Sequence, residues 1–129
     1  MTSRNSFTFP REPQTVRAAR AALYELEGRV PENRLYDASL CLSELVTNAV
    51  QHPGAGGELE LRLLLEEERL RVEVVDSGTG FHPGPPTEGD ERGWGLFIVD
   101  NLSDGWGVEH GDHTVVWFEI ERTQGEIAA

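Results

Sequence analysis

Apolar residues recur along the chain at two periods, and each change of period marks a change of element. Val16, Ala19, Leu23, Leu26 and Val30 fall three or four residues apart, which lines one face of a helix. Pro13 opens that helix, where a missing N–H costs nothing. Gly28 and Pro31 punctuate its end. Pro31 opens a second helix whose stripe is Leu35, Ala38, Leu42, Leu45 and Ala49, broken by Pro53-Gly54 and Gly56-Gly57. The period then drops to two. Leu59, Leu61, Leu63 and Leu65 alternate with Glu58, Glu60 and Arg62, and Leu70, Val72 and Val74 alternate with Arg71 and Glu73. The charged turn Glu66-Glu67-Glu68 joins these runs into an antiparallel hairpin.

A segment rich in proline and glycine follows, from Phe81 to Arg92, and reads as a loop or lid. Gly93-Trp94-Gly95 leads into a short helix with Leu96, Val99 and Leu102 on one side. Trp106 to His110 and Thr114 to Ile120 read as two closing strands. At the front, residues 1–4 read as a loose end and Asn5 to Phe9 as a short edge strand stopped by Pro10. Residues 10–121 form the expected domain, preceded by an end at 1–9 and followed by a tail at 122–129. Helices gathered on one face of a mixed, mostly antiparallel sheet make an α+β, two-layer sandwich.

A length of 129 residues suits one domain with its own core. The single cysteine, Cys41, allows no intrachain disulfide and reads as a small buried apolar residue, in keeping with a reducing cytoplasm. No apolar run is long enough to span a bilayer. The formal charge of −12, from 23 acidic and 11 basic residues, repels a nucleic-acid backbone and an anionic membrane, so neither is an expected partner. His82, His110 and His113 read as surface residues, and Trp106 and Trp117 as core or near-core.

Three polar islands interrupt this pattern. Glu44, Asn48 and His52 are four residues apart and stack along one side of the second helix, at the edge of its apolar stripe. A carboxylate there can act as a base and an amide oxygen can ligate a hard cation such as Mg²⁺. The plainer reading is a solvated helix face. Asp76-x-Gly78-x-Gly80 directly follows an apolar strand. Its carboxylate can accept a hydrogen bond from an exocyclic amine, and its glycines let a ligand approach the backbone. A simple turn needs the same residues. Arg92-Gly93-Trp94-Gly95-Leu96 stands at a helix start, where free N–H groups and the helix dipole suit phosphate. Its spacing fits neither a dinucleotide fingerprint nor a P-loop.

Together, and in this order, the islands resemble the N, G1 and G2 boxes of the GHKL (Bergerat-fold) ATPase superfamily. Within it, Leu42 to His52, Gly93 to Asp100 and Thr114 to Glu119 are most similar to the anti-sigma-factor serine kinases and the small ATP-binding regulators of actinobacteria. The resemblance spans about residues 10–121. It implies ATP and Mg²⁺ as cofactors, with Glu44 as the general base toward a serine or threonine hydroxyl and Asn48 as the metal ligand. It also implies that Asp76 bonds the adenine amino group, that Gly78 and Gly80 shape that pocket, and that Thr114 supports the adenine. Gly93, Gly95 and Leu96 would meet the phosphates through backbone N–H groups, with His52 and Arg92 as further phosphate contacts.

The implied partners are an anti-anti-sigma (STAS-like) protein, a sigma factor, or both, and a homodimer is an implied assembly. Many relatives carry a lysine or a second glycine before the last strand, where this chain reads Gly111-Asp112-His113-Thr114. That departure keeps a second expectation open, a catalytically weak or inactive ATP-binding module that regulates a partner by contact. A detached histidine-kinase domain fits less well, because no helical segment offers a phosphoaccepting histidine.

Overall fold

The structure is a computed structural model and describes residues 2–51, 57–76 and 91–122, with side chains from Leu96 onward in the last stretch. Five strands, β1 (Ser3–Pro10), β2 (Glu58–Leu65), β3 (Arg69–Asp76), β4 (Gly105–His110) and β5 (Thr114–Glu121), lie in the order β1-β2-β3-β5-β4. Every ladder among them is antiparallel, so the mixed sheet expected from sequence is corrected to a wholly antiparallel one. Hairpins join β2 to β3 and β4 to β5, which needs no parallel crossover. Edge strand β1 is longer than expected, starting at Ser3 and keeping Pro10 paired opposite Glu58. An edge strand tolerates proline because the missing N–H faces no ladder.

Three helices, α1 (Thr15–Leu23), α2 (Glu32–Gln51) and α3 (Glu91–Leu102), complete the α+β sandwich. The core is the expected one. Leu59, Leu61, Leu63 and Leu65 of β2, Leu70, Val72 and Val74 of β3, and Val116, Phe118 and Ile120 of β5 meet Leu35, Ala38, Leu42, Leu45 and Ala49 of α2. Cys41 is fully buried, and burial pushes its thiol up to about 12, with Asp37 adding to the rise.

The first apolar stripe is buried at Ala19, Leu23, Leu26 and Val30, but it does not lie on one helix. α1 ends at Leu23, a single 3₁₀ turn follows at Tyr24–Leu26, and Gly28 adopts φ +88°. The chain turns sharply there, with Arg29 N–H donating to the Leu26 carbonyl at 2.8 Å. Pro31 then caps α2 by accepting from the N–H groups of Arg34 and Leu35, at 3.0 and 2.9 Å.

Among the described residues the opposite face of the sheet carries no helix and is covered by charged side chains instead. Arg71 donates to Glu73 at 2.8 Å and to Glu119 at 3.2 Å while lying 4.2 Å over the Trp117 ring. Trp117 therefore sits on the outer face, not in the core, because its parity on β5 is opposite to that of Val116 and Phe118. Trp106 is partly buried against the core, and His110 and His113 are exposed.

Candidate functional site

The ladder registers bring the sequence islands together. Asp76 is the last residue of β3, and it shares the helix-facing side with Val72 and Val74, as i, i+2 parity requires. Its partner across β5 is Thr114, the first residue of that strand, and its partner across β2 is Leu59. Phe9 faces Leu59 and His110 faces Thr114, so Phe9, Leu59, Asp76, Thr114 and His110 form one row across the end of the sheet. Opposed residues of antiparallel strands carry their side chains on one face. Asp76 and Thr114 thus point toward the helix layer.

α2 runs over that row with its C-terminal half. Asn48 and Ala49 are buried, and Glu44, one turn earlier, is half-buried. Three polar side chains are therefore taken from water: Asp76 at 1% exposure, Asn48 at 3% and Thr114 at 6%. A buried carboxylate is costly unless paired. Here Arg11, in the connection between β1 and α1, pairs with Asp76 Oδ1 through Nη2 and donates through Nη1 to the Ala49 carbonyl. Burial pulls the Arg11 guanidinium below its ordinary range.

The donor and acceptor chemistry of this corner fits an adenine nucleotide. An ionised carboxylate accepts an amine hydrogen, a threonine hydroxyl both donates and accepts, and an amide oxygen suits a hard cation. Among the described residues no three His, Cys, Asp or Glu side chains gather as a metal site. Mg²⁺ usually takes only one or two protein ligands beside phosphate oxygens.

The third island behaves differently from its expectation. α3 begins at Glu91, so Gly93 lies within the first turn instead of ahead of it, and Gly95 and Leu96 lie past its first four residues. Glycine disfavours a helix by about 1 kcal/mol. Burial of Leu96 and Val99 against α2 outweighs that penalty. Leu96 is 3% exposed, a core residue in its side chain. Of Arg92, Gly93 and Gly95 only the helical backbone is described. His52, Gly78, Gly80 and residues 81–90 of the expected lid lie outside the described residues, and Glu91 and Arg92 belong to α3.

Arg11 escaped the sequence reading. In Pro10-Arg11-Glu12-Pro13 it reads as a connection, and its partner is 65 residues away. A cleft lined by Tyr24, Val30, Tyr36, Glu67 and Arg122 lies at the opposite pole, where α2 starts.

A family model described as the histidine kinase-like ATPase domain matches residues 9–120. The serine-protein kinase RsbW of Listeria monocytogenes is 30% identical over 113 residues, covering 74% of this chain and 72% of its own. The serine-protein kinase RsbW of Bacillus subtilis is 31% identical over 113 residues, covering 74% and 71%. Among solved structures, that of the RsbU and RsbW domains of Rv1364c from Mycobacterium tuberculosis superposes with a TM-score of 0.70 at 22% identity. The match covers 92% of this chain and 32% of that longer one, and shows a shared fold. No helix among the described residues is long and apolar enough to cross a membrane.

Proposed function

The chain belongs to the histidine kinase-like ATPase domain family, and on that premise we propose that it is an ATP-dependent serine/threonine protein kinase of the anti-sigma-factor type. The observation that carries the reading is the buried polar corner: Asp76 and Thr114 are paired across strands, and Asn48 is buried on α2 beside Ala49, whose carbonyl shares the Arg11 guanidinium with Asp76. Globular cores rarely bury a carboxylate, an amide and a hydroxyl at one spot unless something there uses them.

In this reading Asp76 accepts from the adenine amino group and Thr114 supports it, with Gly78 and Gly80 forming the pocket wall. Asn48 would hold Mg²⁺ through its amide oxygen. His52 and Arg92 would contact the phosphates together with the free N–H groups of the first turn of α3, which holds Gly93, while Gly95 and Leu96 stand in the turn behind it. ATP would supply the phosphoryl group, and bound Mg²⁺ would neutralise the charge around it. Glu44, half-buried one turn from Asn48, takes the proton from the attacking hydroxyl. The substrate hydroxyl belongs to an anti-anti-sigma (STAS-like) domain, and a sigma factor is the protein held or released. Two protomers form a homodimer. The acidic surface, −12 over the chain, suits protein partners and disfavours nucleic acid.

The test is transfer of labelled phosphate from ATP to a serine-bearing anti-anti-sigma domain. Glu44→Gln is expected to lower the transfer rate by about 10²- to 10⁴-fold and to leave ATP affinity nearly unchanged. A Glu44→Gln protein that transfers at the wild-type rate refutes the base assignment. One observation favours the second reading, an ATP-binding module without transfer activity. The turn from β4 to β5 exposes Asp112 and His113, closed by a 3.1 Å bond from Gly111 N–H to the His113 carbonyl. ATP binding and partner binding without any transfer would select it.

A further inference from the structure

One charged side chain that belongs to none of the sequence islands ends at the site. Arg11 stands just past the end of β1, and its backbone N–H donates to the Gly57 carbonyl at 3.3 Å, beside the start of β2. From there its side chain, 3% exposed, forks between the Ala49 carbonyl on α2 and Asp76 Oδ1 on β3. Strand β2 lies between β1 and β3, so the guanidinium reaches the carboxylate from the Leu59 side of the row. Thr114 borders Asp76 from the other side, on β5. The row and the helix above it present Leu59, Thr114, Asn48 and Ala49. Glu44, a turn away on α2, is the nearest titratable group on that helix.

We infer that Arg11 is a positioning residue that sets base selectivity, by holding the Asp76 carboxylate as a fixed acceptor that takes a 6-amino purine and rejects a 6-oxo purine. The inference rests on the reading of Asp76 as the nucleobase contact. An ionised carboxylate only accepts hydrogen bonds. A purine with an amino group at position 6 offers it a donor, whereas an oxo group sets acceptor against acceptor. That discrimination holds only while the carboxylate keeps its plane. A planar guanidinium anchored at a second point, the Ala49 carbonyl, supplies the constraint. With Arg11 removed, the carboxyl can turn its oxygens away from an oxo group, and the penalty against that base fades.

The test compares MgATP with Mg-inosine triphosphate, which differs in carrying an oxo for an amino group at position 6. Calorimetric titrations use the full chain as wild type, Arg11→Met and Arg11→Lys. Wild type is expected to prefer ATP on the order of 10- to 100-fold, the scale of one hydrogen bond to a charged group. Arg11→Met is expected to reduce that ratio to about threefold or less. Arg11→Lys, which keeps the charge without the fork, should fall between.

A purely structural role would weaken both nucleotides alike and leave the ratio unchanged, which overturns the inference. Tighter ATP binding by Arg11→Met also overturns it, because Arg11 would then stand in the place of the base. Should Arg11→Met fail to fold by circular dichroism, Arg11→Lys decides, and a wild-type ratio there overturns the inference. Wild type that binds neither nucleotide removes the functional reading as well, whereas wild type that discriminates with variants that match it removes this inference alone.

Discussion

Arg34→Met removes a guanidinium that ties three parts of the fold together. Arg34 is 5% exposed near the start of α2. It donates to Asp37 at 2.9 Å, to Asp104 in the α3–β4 connection at 2.7 Å and to the Glu121 carbonyl at the end of β5 at 3.0 Å. The three bonds differ in value. Asp37 and Asp104 are 26% and 45% exposed in their side chains, so solvent screens both ion pairs to about 0.5 kcal/mol each. The bond to the Glu121 carbonyl is charge-assisted and shielded, and contributes about 1.5 kcal/mol. Methionine keeps the packing of the stem, so the loss sums to about 2.5 kcal/mol. A chain of 129 residues unfolds with an entropy of about 0.27 kcal/mol/K, which converts the loss to a Tm lower by about 9 °C. Differential scanning calorimetry reads it directly. Arg34 lies 14 helical residues from Asn48, about 21 Å along α2, so ATP affinity should be unchanged. A Tm drop of less than about 3 °C refutes the reasoning.

Other substitutions probe the sheet and the core. A Cβ on Gly107 would stand 2.8 Å from Trp117 Cζ2, and the indole cannot yield because Arg71 lies over it. Gly107→Ala is therefore expected to cost about 1–3 kcal/mol, read as a lower urea midpoint; an unchanged midpoint would show that the strand relaxes instead. The Cys41 thiol, pushed up to about 12 by burial from a usual 9.0, should resist iodoacetamide at pH 8 in the native protein and react only on unfolding. Because the folded state holds this proton longer, Cys41 subtracts stability as pH climbs from about 9 toward about 12, which a Cys41→Ala comparison by pH-dependent melting checks.

Much of this architecture is legible in the sequence because local pattern and burial agree. The period-two runs of β2 and β3 and the stripe of α2 each place their apolar residues in the core. Asp76 and Thr114 can be read as separate motifs, but their pairing is a property of the register, which only the assembled sheet sets. Burial overrode propensity in α3, which starts ahead of its two glycines because Leu96 and Val99 must pack. Conformation overrode periodicity after Leu23, where spacing suited to one helix is spread over a helix, a 3₁₀ turn and a loop. Arg11 and Arg34 look like surface residues in any local window. Their burial depends on partners 65 and 70 residues away, which no short pattern encodes.

The central claim is that Asp76 and the buried polar residues around it form an ATP site. Calorimetric titration of the wild type with MgATP, beside an Asp76→Asn variant shown to be folded by circular dichroism, tests it most directly. The account predicts saturable binding by the wild type and affinity lower by on the order of tenfold or more in the variant. A wild type without saturable heat, confirmed by a second binding method, would contradict it.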